Sequence, residues 1–274
     1  MKKQFIKNNV KTFNFQLVTF YFFIFSLCVL MITGPLSCSP AENNKPVLRV
    51  AASGNLSFML KDLQKPFHKA NPGVSLQFIT ASSGKLTMQI ENGAAFDIFL
   101  SADMAFPERL FQKGLAAWAP VEYARGVLIL FTRTGFSPGE GLDLLKRKNL
   151  SRIAIASRKL APYGRAAFEV LDKIRLLHVS DKLVIAPNIM QAAQYVLHGA
   201  DAGFIARSAL SSPAMKKWDR QGLYWIPVDR KLYRPISQGM VLLKGKEKNE
   251  YAEKFYRYML SSEAKKVMKR YGYN

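Results

Sequence analysis

Hydroxyls and backbone N–H groups at strand-to-helix junctions are the groups in this sequence best suited to chemistry, and the chemistry they suit is anion capture. Ile79-Thr80-Ala81-Ser82-Ser83-Gly84-Lys85-Leu86 reads as the end of a strand, a hydroxyl-rich turn and the first turn of a helix. Val74 to Ile79 alternates as a half-buried strand does, and Leu86, Met88 and Ile90 begin an apolar-rich helical run ending near Gly93. A helix N-terminus exposes unpaired N–H groups and carries roughly +0.5 of a charge, so this turn can hold an anion without any charged side chain. The simpler role for Ser82 or Ser83 is that of a helix N-cap.

Three further turns share this composition: Ala51-Ala52-Ser53-Gly54, Ala161-Pro162-Tyr163-Gly164 and Ala186-Pro187-Asn188-Ile189. Each precedes a helical pattern, and none contains an acidic or basic residue; Lys85 lies just past the second turn. A site lined only by N–H and O–H donors offers no acceptor. It therefore favours a fully deprotonated oxyanion, because a hydroxyl on the ligand would leave a donor unpaired at a cost of about 1–3 kcal/mol. Several helix N-termini meeting at one point share the stabilisation of a divalent charge. A tetrahedral dianion fits best.

The elements that must position these turns alternate along the chain. From Val47 the order is strand, turn, helix: strand Val47 to Ala52, helix from about Phe58 to Lys69, strand Val74 to Thr80, helix Gly84 to Asn92, buried strand Asp97 to Leu100, helix from about Met104 to Lys113. This alternation predicts a mostly parallel sheet with right-handed crossovers. Gly126 to Thr132 is a long apolar strand leaving that first lobe. A second set follows: strand Arg152 to Ala156, helix Gly164 to about Leu176, strand Leu183 to Ala186, helix Met190 to His198, strand Ala202 to Ala206, a loop and short helix at Ser208 to Trp218, and strand Leu223 to Val228. The apolar segment Ile236 to Leu243 crosses back, and helices at about Asn249 to Leu260 and Ser262 to Tyr271 follow. The expected fold class is α/β, with lobe one at 43–125 and 239–274, lobe two at 126–238, and two crossing segments joining them as a hinged clamshell. In such lobes ligands bind beyond the carboxyl ends of strands.

Residues 1–41 are expected to be a signal peptide, since Lys2, Lys3, Lys7 and Lys11 precede an apolar run from Phe15 to Ile32. A membrane anchor is the competing reading of that run, which is long enough to span. Cys38 stands where bacterial lipoproteins carry their lipidated cysteine, although Pro35 departs from the aliphatic residue usual there; cleavage nearby, for example after Ala41, is the alternative. Cys28 and Cys38 both fall in the leader, so the body of about 230 residues has no disulfide, thiol nucleophile or cysteine metal cage. Removing the four leader lysines from 40 basic residues leaves 36 against 19 acidic ones, an excess of +17. Export and the scatter of these charges over helix faces such as Lys265, Lys266, Lys269 and Arg270 argue against a nucleic-acid binder and for a solvated basic surface.

Other chemistries fit poorly. Gly84-Lys85 superficially resembles a nucleotide-binding loop, but Ile79 stands where the first glycine belongs and Leu86 where the magnesium-binding hydroxyl belongs. Asp97 and Asp103 flank a strand end; Asp103 is better read as a cap of the following helix than as half of a catalytic carboxylate pair. His68, His178 and His198 lie apart with no metal spacing. Neither enzyme nor cofactor is expected.

Taken in order, several stretches resemble the periplasmic molybdate-binding proteins, the ModA-type substrate-binding components of ABC importers. They are Ala51-Ala52-Ser53, Ser82-Ser83-Gly84-Lys85-Leu86, Phe96 to Asp103, Arg152 to Ala156, Ala161-Pro162-Tyr163-Gly164, Asn188-Ile189, Asp201 to Ala206 and Arg270-Tyr271-Gly272-Tyr273. The resemblance spans Val47 to Tyr273 and implies a type II periplasmic-binding-protein fold, molybdate and tungstate as ligands, an inner-membrane ABC permease as partner, a monomer, and a periplasmic location; the alternative is the same fold binding another oxyanion, sulfate or phosphate, or a small organic anion. It also implies ligand contacts from Ser53 and Ser83 through hydroxyl and N–H, and from the backbone N–H groups of Tyr163 and Ile189. The best-known members of the family carry a ligand-binding tyrosine where this chain has Ala206. The Tyr163 hydroxyl is the candidate replacement donor.

Overall fold

Nearly every apolar run expected as a strand forms one, because alternating burial on a sheet or burial on both its faces is the only way to hide those side chains with the backbone paired. The computed structural model describes residues 45–133 and 136–274. The leader, Cys28 and Cys38 lie outside the described residues, as do the expectations of signal peptide, anchor and lipidation. Among the described residues, no helix is long and apolar enough to cross a membrane.

The first lobe is built on β1 (Val47–Ser53), β2 (Ser75–Ala81), β3 (Ile98–Leu100), β4 (Val121–Gly126) and β10 (Ile236–Leu242), in the order β2-β1-β3-β10-β4. The second uses β5 (Leu128–Thr132), β6 (Ile153–Ala156), β7 (Leu183–Ala186), β8 (Ala202–Ala206) and β9 (Trp225–Pro227), in the order β7-β6-β8-β5-β9. The helices are α1 (Leu60–Ala70), α2 (Ser83–Glu91), α3 (Ala105–Gln112), α4 (Pro162–Lys173), α5 (Ile189–Leu197), α6 (Glu250–Leu260) and α7 (Ser262–Arg270). Apolar cores of the two lobes form around Leu48, Val50, Leu63, Phe67 and Phe255 in one and Leu128, Leu130, Ile155, Val170 and Phe204 in the other. This is the expected α/β fold class, two lobes with two crossings.

Two expectations need correction. The sheets are mixed, not mostly parallel: β1, β2 and β3 run parallel, but β10 is antiparallel to β3 and β4, and β5 is antiparallel to β8 and β9. A strand that enters from the other lobe arrives with no crossover helix to reverse it, so it pairs antiparallel. The run Gly126 to Thr132 is likewise not one strand. Gly126 ends β4 in the first sheet and Leu128 begins β5 in the second, with Val127 between. β10 begins its pairing with β4 at Ile236, opposite Gly126. A bulge at Gln238/Gly239 breaks the register of β10 and β4, and the Gln238 side chain is fully buried there.

Candidate functional site

Each of the four turns sits at the carboxyl end of a strand and opens a helix. Ser53 closes β1 and precedes a 3-10 turn at Gly54–Leu56. Ser82 occupies the N-cap of α2 and Ser83 its first helical position. Ala161 is the N-cap of α4, Pro162 its first residue and Tyr163 its second; proline suits that first position because it has no N–H to leave unpaired and its φ is already helical. Asn188 is the N-cap of α5, accepting from the Gln191 N–H at 3.0 Å, and Ile189 is its first helical residue. The N–H groups of Ser83, Tyr163 and Ile189 therefore have no carbonyl of their own helix to donate to.

The serines do not cap. Neither Ser53 nor Ser82 makes a side-chain cap hydrogen bond. The Ser83 hydroxyl donates to Ser53 Oγ at 3.1 Å and accepts the Ala102 N–H at 3.0 Å. Both hydroxyls are buried, as are the side chains of Tyr163 and Ile189. Polar side chains at helix starts are ordinarily spent on capping; here two of them face each other beneath the junction of the lobes, and Lys85 is exposed.

The four turns meet across that junction in two pairs. The Gly84 N–H donates to the Leu160 carbonyl at 2.9 Å, joining the second turn to the approach of the third. A Cβ built on Gly54 would lie 3.4 Å from Asn188 Oδ1, so the first turn touches the fourth. Glycine is needed at position 84, where a Cβ would come within 3.0 Å of Leu160 Cα. One ion pair bridges the lobes here. Asp103 on the first lobe accepts from Arg165 of α4 at 2.9 Å and also caps α3 through the Phe106 N–H at 3.2 Å, the capping role expected for it. Burial pushes the Asp103 carboxyl above its ordinary range, against the opposing pull of the Phe106 N–H and the Arg165 guanidinium. A partnered carboxylate presents little repulsion to an incoming anion.

The Tyr163 hydroxyl does not face this junction as a free donor. It lies at Gly126, where an added Cβ would sit 2.1 Å from it, and it neighbours the Tyr273 hydroxyl. Its expected use as the replacement for the absent Ala206 hydroxyl is therefore not what the geometry favours: the side chain runs along the hinge side of α4. Burial raises the pKa of both tyrosines, and Tyr273 is pushed up to about 12, so both are protonated donors at neutral pH. Sequence reasoning missed the buried polar group around them. The Asn55 amide donates to Gln238 Oε1 at 2.8 Å and to Tyr273 Oη at 2.7 Å, and the Ser208 hydroxyl donates to the Asn55 carbonyl at 3.0 Å. The only local signal was an Asn two residues past Ser53, which also reads as a turn residue.

Among the described residues no group of three or more His, Cys, Asp or Glu side chains is placed to hold a metal ion, and His68 and His198 are exposed. What the four turns bring together from the two lobes is hydroxyl and backbone N–H groups without a charged side chain.

The bacterial extracellular solute-binding protein family matches residues 48–274. A molybdate-binding protein of Azotobacter vinelandii is 35% identical over 253 residues, covering 90% of this chain and 96% of that protein. One from Rhodobacter capsulatus is 32% identical over 237 residues, 85% of this chain and 90% of that protein. The solved structure of the Azotobacter vinelandii periplasmic molybdate-binding protein superposes with a TM-score of 0.75 at 30% identity, covering 83% of this chain and 98% of that one. With its two-sheet architecture, its four strand-end turns and these matches over most of its length, the chain belongs to the bacterial extracellular solute-binding protein family.

Proposed function

We propose that this protein captures molybdate, and tungstate with it, between its two lobes and delivers the anion to an ABC permease in the inner membrane. The observation that carries the reading is the buried pair of hydroxyls, Ser53 and Ser83, at 3.1 Å, neither of them spent on capping a helix. Ser53 and Ser83 donate from the first lobe; the Tyr163 and Ile189 N–H groups donate from the second. An anion held by both lobes binds the closed arrangement better than the open one, and only that difference drives closure. The relatives named as molybdate-binding proteins support the ligand. No covalent step or cofactor is part of this role; the metal arrives and leaves as its oxyanion. The protein acts as a monomer on the periplasmic side, either free or held by a lipid on Cys38.

Calorimetric titration with molybdate, tungstate, sulfate and phosphate tests this. Molybdate and tungstate are expected to bind tightly and with similar affinity. Phosphate carries a proton at neutral pH, so a ligand hydroxyl must either face an N–H donor or take a serine oxygen from its present partner, and a mismatch of about 1–3 kcal/mol makes it about 5- to 150-fold weaker. Sulfate, equally charged but smaller, leaves the donors at long range. Tight sulfate binding with no molybdate heat would overturn the assignment.

The Asp103–Arg165 ion pair joins the lobes only when they are closed. Arg165→Ala leaves the buried Asp103 carboxylate with only its Phe106 and Ser101 partners. We expect molybdate affinity to fall about 5- to 30-fold, the loss of about 1–2 kcal/mol for a partly buried pair. The fall should shrink with added salt, and equal affinity of variant and parent at low ionic strength would refute it.

A further inference from the structure

The buried polar group beside the hinge joins the lobes at a second place, away from the turns. Asn55 follows Ser53 by two residues on the first lobe; Tyr273 lies beyond α7 on the same lobe, beside β4, where Asn274 and Arg125 exchange backbone hydrogen bonds at 2.9 and 3.1 Å. Ser208 belongs to the 3-10 turn Arg207–Ser211 that follows β8 of the second lobe, and Tyr163 to α4. The Asn55 carbonyl accepts from Ser208 Oγ and from the Tyr273 hydroxyl, each at 3.0 Å. Tyr273 Oη in turn accepts from the Asn55 amide at 2.7 Å and reaches Ser208 Oγ at 3.3 Å, with the Tyr163 hydroxyl beside it. Asn55, Ser208, Tyr163 and Tyr273 are all 3% exposed or less, so the hydrogen bonds of this group are made inside the protein.

We propose that Tyr273 is a positioning residue for anion capture: with Asn55 and Ser208 it forms a latch that holds the lobes closed and fixes the Tyr163 backbone, without touching the ligand. The inference rests on the capture role proposed above. Two of the links, Ser208 to Asn55 at 3.0 Å and Tyr273 to Ser208 at 3.3 Å, run from one lobe to the other. When the lobes part, those groups are handed to water and lose little. When the lobes close on a chain lacking one partner, the remainder stays buried and unpaired, so the penalty falls on the closed state alone. The latch also ties the two halves of the anion site together. Asn55 sits next to the Ser53 turn, and the Tyr163 side chain anchors the residue whose N–H points from the other half. The close packing at Gly126, whose added Cβ would lie 2.1 Å from the Tyr163 hydroxyl and 2.9 Å from Gln238 Nε2, keeps the hinge strand out of the way of this contact.

Stopped-flow and calorimetric measurements with molybdate on the full protein test the latch. Tyr273→Phe keeps the ring in its core and removes only the hydroxyl. The expected result is release about 10-fold faster, a capture rate within about twofold of the parent, and an unchanged molybdate-to-tungstate ratio. Ser208→Ala acts the same way more weakly. The deciding comparison is a double-mutant cycle: once Tyr273 is Phe, Ser208→Ala should cost less than it does in the parent, because the contact between the two hydroxyls is already gone. Additive losses would overturn the proposal, as would unchanged release from Tyr273→Phe. Small-angle scattering without any anion keeps this test separate from the ligand assignment. Tyr273→Phe should be more open than the parent even if molybdate proves to be the wrong anion, and identical scattering profiles together with identical release rates would sink the latch.

Discussion

A Ser53→Ala, Ser83→Ala double variant is expected to bind molybdate about 10²- to 10⁴-fold more weakly than the parent in calorimetric titration. Each serine donates a hydroxyl to a dianion in a buried site, and a hydrogen bond to a charged group is worth about 1.5–3 kcal/mol. Two lost together amount to about 3–6 kcal/mol, which is that range of dissociation constants. The two positions differ in what else they do. Ser53 Oγ receives only the Ser83 hydroxyl among its recorded partners, whereas Ser83 Oγ also accepts the Ala102 N–H, which becomes a buried orphan in the variant. Ser83→Ala should therefore lower the melting temperature as well as the affinity, while Ser53→Ala should lower affinity by about 10- to 100-fold with the melting temperature nearly unchanged. Affinity of the double variant within about threefold of the parent would remove the serines from the site and end the proposed function in its present form.

The second large effect is expected at a residue that offers no donor side chain. Gly164 follows Tyr163 in the first turn of α4, and a Cβ added there falls 2.4 Å from both the Ala156 and Ser157 carbonyl oxygens. Both obstacles are backbone, so no rotamer can yield; the first turn of α4 must move off the end of β6. Overpacking of this kind costs about 1–3 kcal/mol, against about 1 kcal/mol regained from the better helix propensity of alanine. Displacement of the turn also carries away the Tyr163 N–H and the Tyr163 hydroxyl. Gly164→Ala should lower the melting temperature by several degrees and weaken molybdate binding by about 10-fold or more. Gly139→Ala is the control: its Cβ meets only the Ser137 hydroxyl at 3.3 Å, and parental binding is expected. A Gly164→Ala protein that melts and binds like the parent would show that α4 is not held against β6 as described.

Much of the fold was legible from residue types alone, and the reason is visible element by element. β1, β2, β6, β7 and β8 fall within a residue or two of their expected bounds because their apolar runs are bracketed by glycine, proline or polar turns. α5 begins at Ile189, one residue before the expected Met190, and α4 begins at Pro162, two residues before the expected Gly164, because Asn188 caps the one and proline suits the first position of the other. The misreadings were at the lobe boundary. Gly126 to Thr132 has the composition of one strand, and nothing within the run says that its first residue belongs to one sheet and the rest to another. β4 escaped notice because Val121, Glu122 and Arg125 are exposed at a sheet edge and show no clean alternation.

The sequence by itself determined the order of strands, turns and helices, the absence of cysteine from the body, and the neutral, donor-rich character of the four turns. Those properties follow from side-chain type and from spacing over a few residues, where periodicity and capping act. Only the tertiary structure decided which groups meet: Ser83 with Ser53, the Gly84 N–H with the Leu160 carbonyl, and Asn55 with Tyr273, which lie 218 positions apart. It also turned the Tyr163 hydroxyl toward Tyr273 at the hinge instead of toward the anion turns. Such pairings are set by how two sheets close on one another, through packing that sums over both lobes, and no local pattern encodes that sum.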